Sequence, residues 1–267
     1  MPPDPLVARL RAAGCVFAED EARLLRAAAG SPAELDELAA RRVDGAPLEA
    51  LLGWAEFCGL RIAVDPGVFV PRQRTAFLVA QAVQRVRVVP PAAGQRPGCG
   101  GRVGDGSGAV VVDLCCGTGA IGAAIAAAVP GVEVHAADVD PVAVACARRN
   151  LPHVHQGDLY AALPDRLRGR VDLLVVNAPY VPTAAIATMP PEARDHEPRV
   201  ALDGGADGLD VQRRVAADAP TWLRPGGALL IETGADQAQR TAALFAAAGL
   251  AAQVAYAEDA TVVIGER

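Results

Sequence analysis

From residue 109 to the end of the sequence, short apolar segments alternate with helix-like segments. Predicted strands cover 109–114, 132–138, 153–157, 171–176, 227–232, 251–257 and 261–265, and predicted helices cover 119–128, 141–150, 207–222 and 235–247. This alternation is typical of α/β proteins in which helices cover both faces of a parallel sheet. The last two strands are too close for a helix between them, so we expect an antiparallel hairpin there. The pattern predicts a Rossmann-like, mostly parallel sheet of seven strands with a terminal antiparallel hairpin.

The N-terminal part of the chain is different, because leucines recur at helical spacing between Leu6 and Leu52. Ser31-Pro32-Ala33-Glu34 has the residues of a helix start, with a serine cap, proline at the first position and an acidic residue at the third. A hairpin around Gly59 and a helix over about 74–86 are expected to follow. The predicted units are a helical domain at 1–54, a hairpin linker at 55–73 and a catalytic domain at 74–267, with a flexible Pro- and Gly-rich loop at 90–108.

Composition excludes several kinds of chemistry. The chain has no lysine, so its 25 basic residues are all arginine, which removes mechanisms that use a Schiff-base or P-loop lysine. A net charge of −6 argues against direct binding of nucleic acid. The cysteines form no CxxC pair and the histidines complete no zinc pattern, so we expect no metal site and reduced thiols in the cytoplasm. Apolar runs are too short to span a membrane.

A loop containing two glycines follows the first strand of the predicted sheet. Glycine lets the backbone turn sharply and approach a ligand, and the helix that follows begins with free N–H groups. The pattern D-x-C-C-G-x-G differs from the dinucleotide pattern G-x-G-x-x-G and favours S-adenosylmethionine, whose methionine and ribose parts the loop would contact. Tight packing without a ligand is the alternative for this loop taken alone. The candidate cofactor-binding residues are Asp113, Cys115, Cys116, Gly117, Thr118 and Gly119.

The two cysteines of this loop also suggest a nucleophile, but packing is the favoured interpretation. Cys115 and Cys116 occupy small-residue positions and have no histidine nearby in the sequence to activate a thiolate. The four histidines are interpreted as surface or packing residues.

Acidic residues at the ends of the next two strands extend the predicted cofactor site. Asp138 follows the loop by about twenty residues, where a carboxylate accepts both ribose hydroxyls. Asp140 precedes Pro141 and has the pattern of a helix cap instead. Asp158, after the third strand, would accept the adenine amino group, and Leu159 would pack on the ring. A solvated turn is the alternative for Asp158.

The fourth strand ends in Asn177-Ala178-Pro179-Tyr180, the candidate catalytic residues. Ligands of open parallel sheets bind at the carboxyl ends of the strands, so the tetrapeptide, and Asn177 in particular, should also adjoin the cofactor. The Asn177 side-chain oxygen and the Ala178 carbonyl would accept the two N–H groups of an –NH₂ acceptor and direct its nitrogen at the methyl group. Pro179 keeps Ala178 extended, and Tyr180 offers a flat face to a planar amide or ring nitrogen. An ordinary turn is the alternative.

These motifs resemble those of the PrmC/HemK family over nearly the full length of the chain. The resemblance implies a class I S-adenosylmethionine-dependent methyltransferase fold with a small N-terminal domain that recognises a protein substrate. It also implies S-adenosyl-L-methionine as cofactor and methylation of the glutamine side-chain amide in the Gly-Gly-Gln motif of peptide chain release factors. Further matching segments are 45–48, 53–57, 70–72, 197–202 and 204–208.

Three segments of the sequence depart from the usual family pattern. Ala178 stands where proline is usual, and Cys115 and Cys116 replace the first two residues of Gly-Thr-Gly-Thr-Gly. Gln73-Arg74-Thr75 stands where the family has proline and acidic residues. Three alternatives therefore stay open: glutamine methylation of another protein such as a ribosomal protein, amino-group methylation of adenine or guanine in nucleic acid, and a noncatalytic cofactor-binding paralogue.

Overall fold

The computed structural model describes residues 4–88 and 108–267. In the N-terminal part, helices α1 to α4 are followed by a hairpin of β1 and β2 and by helix α5. The bounds are α1 Pro5–Ala12, α2 Ala18–Ala28, α3 Pro32–Val43, α4 Leu48–Leu52, β1 Trp54–Phe57, β2 Leu60–Ala63 and α5 Ala76–Val88.

The catalytic part alternates strands with helices as the sequence predicts. Its strands are β3 Val110–Leu114, β4 Glu133–Asp138, β5 Val154–Gln156, β6 Val171–Val176, β7 Leu223–Glu232, β8 Ala251–Tyr256 and β9 Thr261–Glu266. Its helices are α6 Ala120–Ala128, α7 Pro141–Ala147, α8 Pro191–His196, α9 Arg199–Leu202, α10 Asp210–Trp222 and α11 Ala238–Ala247.

Among the described residues, seven strands form one sheet in the order β5-β4-β3-β6-β7-β9-β8. The first five strands of that order run parallel, and β9 runs antiparallel to both β7 and β8. This confirms the predicted mostly parallel sheet and its terminal hairpin. The order places β3 and β6 side by side at the centre of the sheet, so the loops that follow them are neighbours.

The central strand β3 is buried along its whole length, because helices cover both faces of the sheet. Val111 packs on one face with Leu78 of α5 and Ile125 of α6. Val112 packs on the other face with Trp222 of α10. Two apolar layers therefore hold the carboxyl ends of the strands in fixed positions.

Helices α1 to α4 have an apolar cluster of their own, which includes Leu10 and Leu25. The hairpin of β1 and β2 belongs to the core of the catalytic part, because Phe57 and Ile62 pack in the layer that contains Val111. The Asn150 side chain accepts the Ala63 N–H at 2.9 Å and donates to the Ala63 carbonyl at 3.0 Å. The segment predicted as a linker thus packs onto the catalytic part, while the domain boundaries stay a prediction.

Two helix starts have the predicted caps. The Ser31 hydroxyl accepts the Glu34 N–H at 3.2 Å, and the Asp140 carboxylate accepts the Val142 N–H at 2.9 Å. Asp140 is therefore a capping residue, as its position before Pro141 predicts.

Three helices are each three residues shorter than predicted, and one of them is α11, which begins at Ala238. Helix α7 ends at Ala147, since Asn150 turns away to bind the hairpin, and α10 begins at Asp210, since Gly208 has a left-handed φ of 78°. The loop predicted at 90–108 lies outside the described residues except for Gly108, and so does Cys99. None of the helices in the described ranges combines the length and apolarity needed to cross a bilayer.

Candidate active site

A cavity of about 480 Å³ opens at the carboxyl ends of β3, β4 and β6. Its wall brings together the predicted donor and acceptor residues from separate parts of the chain. Among the described residues, all of the predicted site residues line this cavity except Asp113 and Gly119. The lining residues from the prediction are Cys115, Cys116, Gly117, Thr118, Asp138, Asp158, Leu159, Asn177, Ala178, Pro179 and Tyr180.

The loop after β3 makes its turn through left-handed backbone. Cys115, Gly117 and Gly119 have φ values of 56°, 53° and 75°. A Cβ atom at Gly119 would lie 3.0 Å from the Leu151 side chain, so this glycine serves close packing as well as the turn. That packing role explains why Gly119 lies behind the cavity wall.

Asp138 ties this loop to the end of β4. Its carboxylate accepts the Gly117 N–H at 2.8 Å and the Asp140 N–H at 3.0 Å. Burial raises the pKa of Asp138 above its usual value. A carboxylate has about four acceptor positions, so two further donors such as ribose hydroxyls find acceptors here.

Asp113 lies beneath the loop instead of in the cavity wall where it was predicted. Its side chain is fully buried, and one oxygen accepts the Gly122 N–H of α6 at 2.9 Å. The other oxygen has no hydrogen-bond partner among the described residues. Burial raises the pKa of Asp113 to about 8, and the nearby Asp138 adds to this. Asp113 therefore binds the first turn of α6 beneath the loop, and burial favours its neutral form.

The thiols of Cys115 and Cys116 are not poised as nucleophiles. Burial raises the pKa of both thiols above the usual value, and the neighbouring carboxylates raise them further. A neutral thiol is a poor nucleophile, so these side chains act in packing.

Asp158 reaches the cavity from the segment after β5. Its carboxylate also pairs with Arg214 of α10 at 2.6 Å, an exposed ion pair. Leu159 beside it has a left-handed φ of 47° and packs against the apolar layer that contains Val112 and Trp222. An adenine amino group at this position would therefore meet a carboxylate that Arg214 already orients, a partner that the sequence did not reveal.

Tyr180 ends the acceptor tetrapeptide, and the structure holds its phenol in place. Arg74 donates to the Tyr180 hydroxyl at 2.8 Å, and the Arg74 Nε lies 3.5 Å from the buried carboxylate of Glu232. Burial raises the pKa of Tyr180, so the phenol stays protonated. Arg74 and Glu232 were not predicted as site residues, although Arg74 lies in one of the segments that departs from the family pattern.

The backbone after the tetrapeptide is bound to a glycine-rich segment. The Val181 N–H donates to the Leu202 carbonyl at 3.0 Å, and the Gly204 N–H donates to the Val181 carbonyl at 2.9 Å. A Cβ atom at Gly204 would lie 2.8 Å from the Pro179 carbonyl, so only glycine allows this approach. This explains the position of the 204–208 segment directly behind the acceptor residues.

A segment formed by helices α8 and α9 closes one side of the cavity. Arg72, which follows the hairpin, pairs with the buried carboxylate of Glu197 after α8, and Val200 of α9 joins the lining. On its outer side, a Cβ atom at Gly45 would lie 3.2 Å from the His196 ring, so the turn between α3 and α4 lies close to this segment. A substrate held by the N-terminal helices would therefore approach the cavity over this segment.

Comparisons with known proteins find methyltransferases. A family model described as "Methyltransferase small domain" matches residues 104–190. The release factor glutamine methyltransferase of Geobacter sulfurreducens is 38% identical over 79% of this chain and 69% of its own length. The 4-amino-L-phenylalanine/4-methylamino-L-phenylalanine methyltransferase of Streptomyces pristinaespiralis is 36% identical over 78% of this chain and 68% of its own.

A solved structure shows the same fold at low sequence identity. The ribosomal protein L11 methylase of Lactobacillus delbrueckii subsp. bulgaricus superposes with a TM-score of 0.51 at 15% identity, over 77% of this chain and 84% of that one.

Proposed function

The chain belongs to the release factor glutamine methyltransferase family of S-adenosylmethionine-dependent enzymes, and we propose that it methylates the glutamine side-chain amide in the Gly-Gly-Gln motif of peptide chain release factors. The observation that supports this most directly is the position of Asn177 and Ala178 in the same cavity wall as Asp138 and the loop after β3. A reaction on release factors would place the enzyme in the cytoplasm.

The acceptor side supplies orientation. An amide nitrogen is a weak nucleophile, because its lone pair is delocalised into the carbonyl. The Asn177 side-chain oxygen and the Ala178 carbonyl would accept its two N–H groups, which raises electron density on nitrogen and fixes its direction. Tyr180 would pack its ring on the planar amide. The nitrogen loses its proton after methylation, so no general base is required beforehand.

The donor side supplies binding. Asp138 would accept the ribose hydroxyls, Asp158 the adenine amino group, and the backbone of 115–119 would contact the methionine part. When bound, S-adenosylmethionine provides a methyl group on a positively charged sulfur. Two observations support the binding of S-adenosylmethionine here: the Asp138 carboxylate has acceptor positions left for further donors, and a cavity of about 480 Å³ lies beside it.

A second candidate acceptor is a small aromatic amine. The 36% identical relative from Streptomyces pristinaespiralis is named for methylation of 4-amino-L-phenylalanine. An aryl –NH₂ group is also planar with a delocalised lone pair, so the same two acceptors would bind it. We favour the protein substrate because the turn between α3 and α4 lies close to His196, next to the cavity-lining Glu197.

The deciding experiment offers radiolabelled S-adenosylmethionine with each acceptor separately. We expect label on a purified release factor, located on the Gly-Gly-Gln glutamine by mass spectrometry, and none on the same factor with that glutamine changed to alanine. Label on 4-aminophenylalanine, on ribosomal protein, or on adenine or guanine of DNA or RNA, without label on the release factor, would replace this proposal with the corresponding alternative. Cofactor binding without transfer to any of them would favour a noncatalytic paralogue.

A further inference from the structure

Four buried polar side chains lie directly behind the acceptor tetrapeptide, between β7, α10 and α11. We call them the glutamine network. Each is less than 5% exposed in the described structure, although polar side chains are rarely buried without a role in bonding. The members are Gln212, Thr233, Gln237 and Thr241.

Gln237 is the member that touches the acceptor segment. Its Nε2 donates to the Tyr180 carbonyl at 2.9 Å and to the Asp207 carbonyl at 3.2 Å. Its Oε1 accepts the Thr233 hydroxyl at 3.2 Å. Because both Nε2 partners are carbonyl oxygens, the amide has only one satisfactory orientation. Gln237 therefore joins the end of the tetrapeptide to the glycine-rich segment.

Thr233 binds the Gln237 amide from behind, and Gln212 and Thr241 extend the network away from it. Gln212 donates to the Thr233 hydroxyl at 3.1 Å, and Thr241 donates to the Gln212 side-chain oxygen at 2.7 Å. The space around the Gln237 amide is filled, since a Cβ atom at Gly208 would lie 2.3 Å from both its Nε2 and the Tyr180 carbonyl. The Tyr180 residue is thus held at its phenol by Arg74 and at its carbonyl by Gln237.

We propose that Gln237 is a positioning residue for methyl transfer, which acts by fixing the backbone of the acceptor tetrapeptide. Without its amide, the Tyr180 and Asp207 carbonyls lose a buried donor, and the backbone shifts to find other partners. Misplacement of reacting groups by about 1 Å lowers rates by about 100-fold. This inference rests on the proposed acceptor role of residues 177–180, and it holds whichever planar amine is methylated.

The test compares Gln237→Met with Thr241→Val. The first variant keeps the length of the side chain and removes both donors. The second removes the bond from Thr241 to Gln212 and a 3.3 Å bond to the Gln237 backbone carbonyl, which keeps the Thr241 N–H as its donor at 3.0 Å, and it leaves the Gln237 amide with all of its partners. We expect both to lower the thermal midpoint by a similar amount. Only Gln237→Met is expected to lower kcat, by at least about 10-fold, with the Kd of S-adenosylmethionine within about twofold of the unmodified enzyme. Equal kcat losses in the two variants would overturn the proposal.

A second measurement does not depend on turnover. Hydrogen exchange of the 178–205 segment should speed up in Gln237→Met and stay unchanged in Thr241→Val, because Val181 and Thr183 donate backbone bonds within that segment. Unchanged exchange in Gln237→Met would refute the positioning role even if the acceptor proved to be a different molecule. Absence of turnover in the unmodified enzyme would instead refute the proposed function.

If Gln237→Met does not fold, Thr233→Val takes its place. It removes the donor to the Gln237 side-chain oxygen and leaves the rest of the amide intact. A kcat loss of about threefold, absent in Thr241→Val, is expected, and equal activities in these two variants would contradict the proposal.

Discussion

The donor and acceptor sides of the cavity are assembled in different ways. On the donor side, Asp113 and Gly122 are nine residues apart, and Asp138 and Gly117 are 21 apart. On the acceptor side, Tyr180 is held by Arg74 and Gln237, which are 106 and 57 residues away. Apart from the ion pair of Asp158 with Arg214, which lie 56 residues apart, the donor side is built from adjacent strand–helix units, whereas the acceptor side depends on contacts across the fold. Substitutions on the two sides should therefore change different quantities: cofactor affinity on one, turnover on the other.

The largest effect is expected on the acceptor side. Asn177→Ala removes one of the two proposed acceptors for the –NH₂ group, and kcat should fall by about 100-fold, as for removal of one group that stabilises a transition state. The Kd of S-adenosylmethionine, measured by calorimetry, should stay within about twofold. Full activity in this variant would show that the tetrapeptide does not orient the acceptor.

The matching test of the donor side compares two carboxylates that are two residues apart. Asp138→Ala removes the acceptor of the Gly117 N–H and of the proposed ribose hydroxyls, so the Kd of S-adenosylmethionine should rise by about 30-fold, or about 2 kcal/mol. Asp140→Ala removes the cap of α7 from a residue that also lines the cavity, and it should cost about 1 kcal/mol of stability. If both variants weaken cofactor binding equally, Asp138 has no special role in the site.

The same contrast explains what the sequence was able to predict. The strand ends, the loop after β3, the place of Asp138 in the cavity wall and the cap made by Asp140 follow from local patterns, and the structure places these residues as expected. The ribose role of Asp138 stays a prediction. The sequence did not show which side of the loop Asp113 faces, because a buried parallel strand is apolar on both faces. Nor did it show the contacts of Tyr180 with Arg74 and Gln237, since no local pattern encodes a pairing between distant segments.

Burial of Asp113 predicts an effect of pH on the free energy of unfolding. Its pKa is raised from 3.8 to about 8 in the folded protein, so the folded state holds the proton more tightly than the unfolded state does. This stabilisation is fully present below about pH 4 and is lost as the pH rises towards 8, by at most about 1.4 kcal/mol per pH unit.

Asp113→Asn removes this titration and keeps the shape of the neutral acid. The free energy of unfolding, measured in urea from pH 5 to 8, should fall less steeply with pH in the variant than in the unmodified protein. The variant should therefore gain in relative stability as the pH rises. Parallel profiles would show that Asp113 is ionised in the folded state, and the donor loop would then rest on a buried charge.

The smallest effect is expected at Ala178, where the family usually has proline. Ala178→Pro keeps the carbonyl that would accept the substrate N–H, and Pro179 already restricts residue 178 to extended backbone that proline also adopts. The added ring atoms enter a buried position, since Ala178 is 2% exposed, but the lower entropy of the unfolded chain offsets part of that cost. We expect kcat within about twofold and a change of a few degrees in the thermal midpoint.

Ala178→Gly is the informative counterpart, because it keeps the same carbonyl and loosens the backbone. A kcat loss of about threefold in the glycine variant, with none in the proline variant, would show that rigidity of the tetrapeptide sets turnover. Loss of turnover in the proline variant alone would instead assign a role to the Ala178 N–H, and the acceptor side would then use a donor as well as its two acceptors.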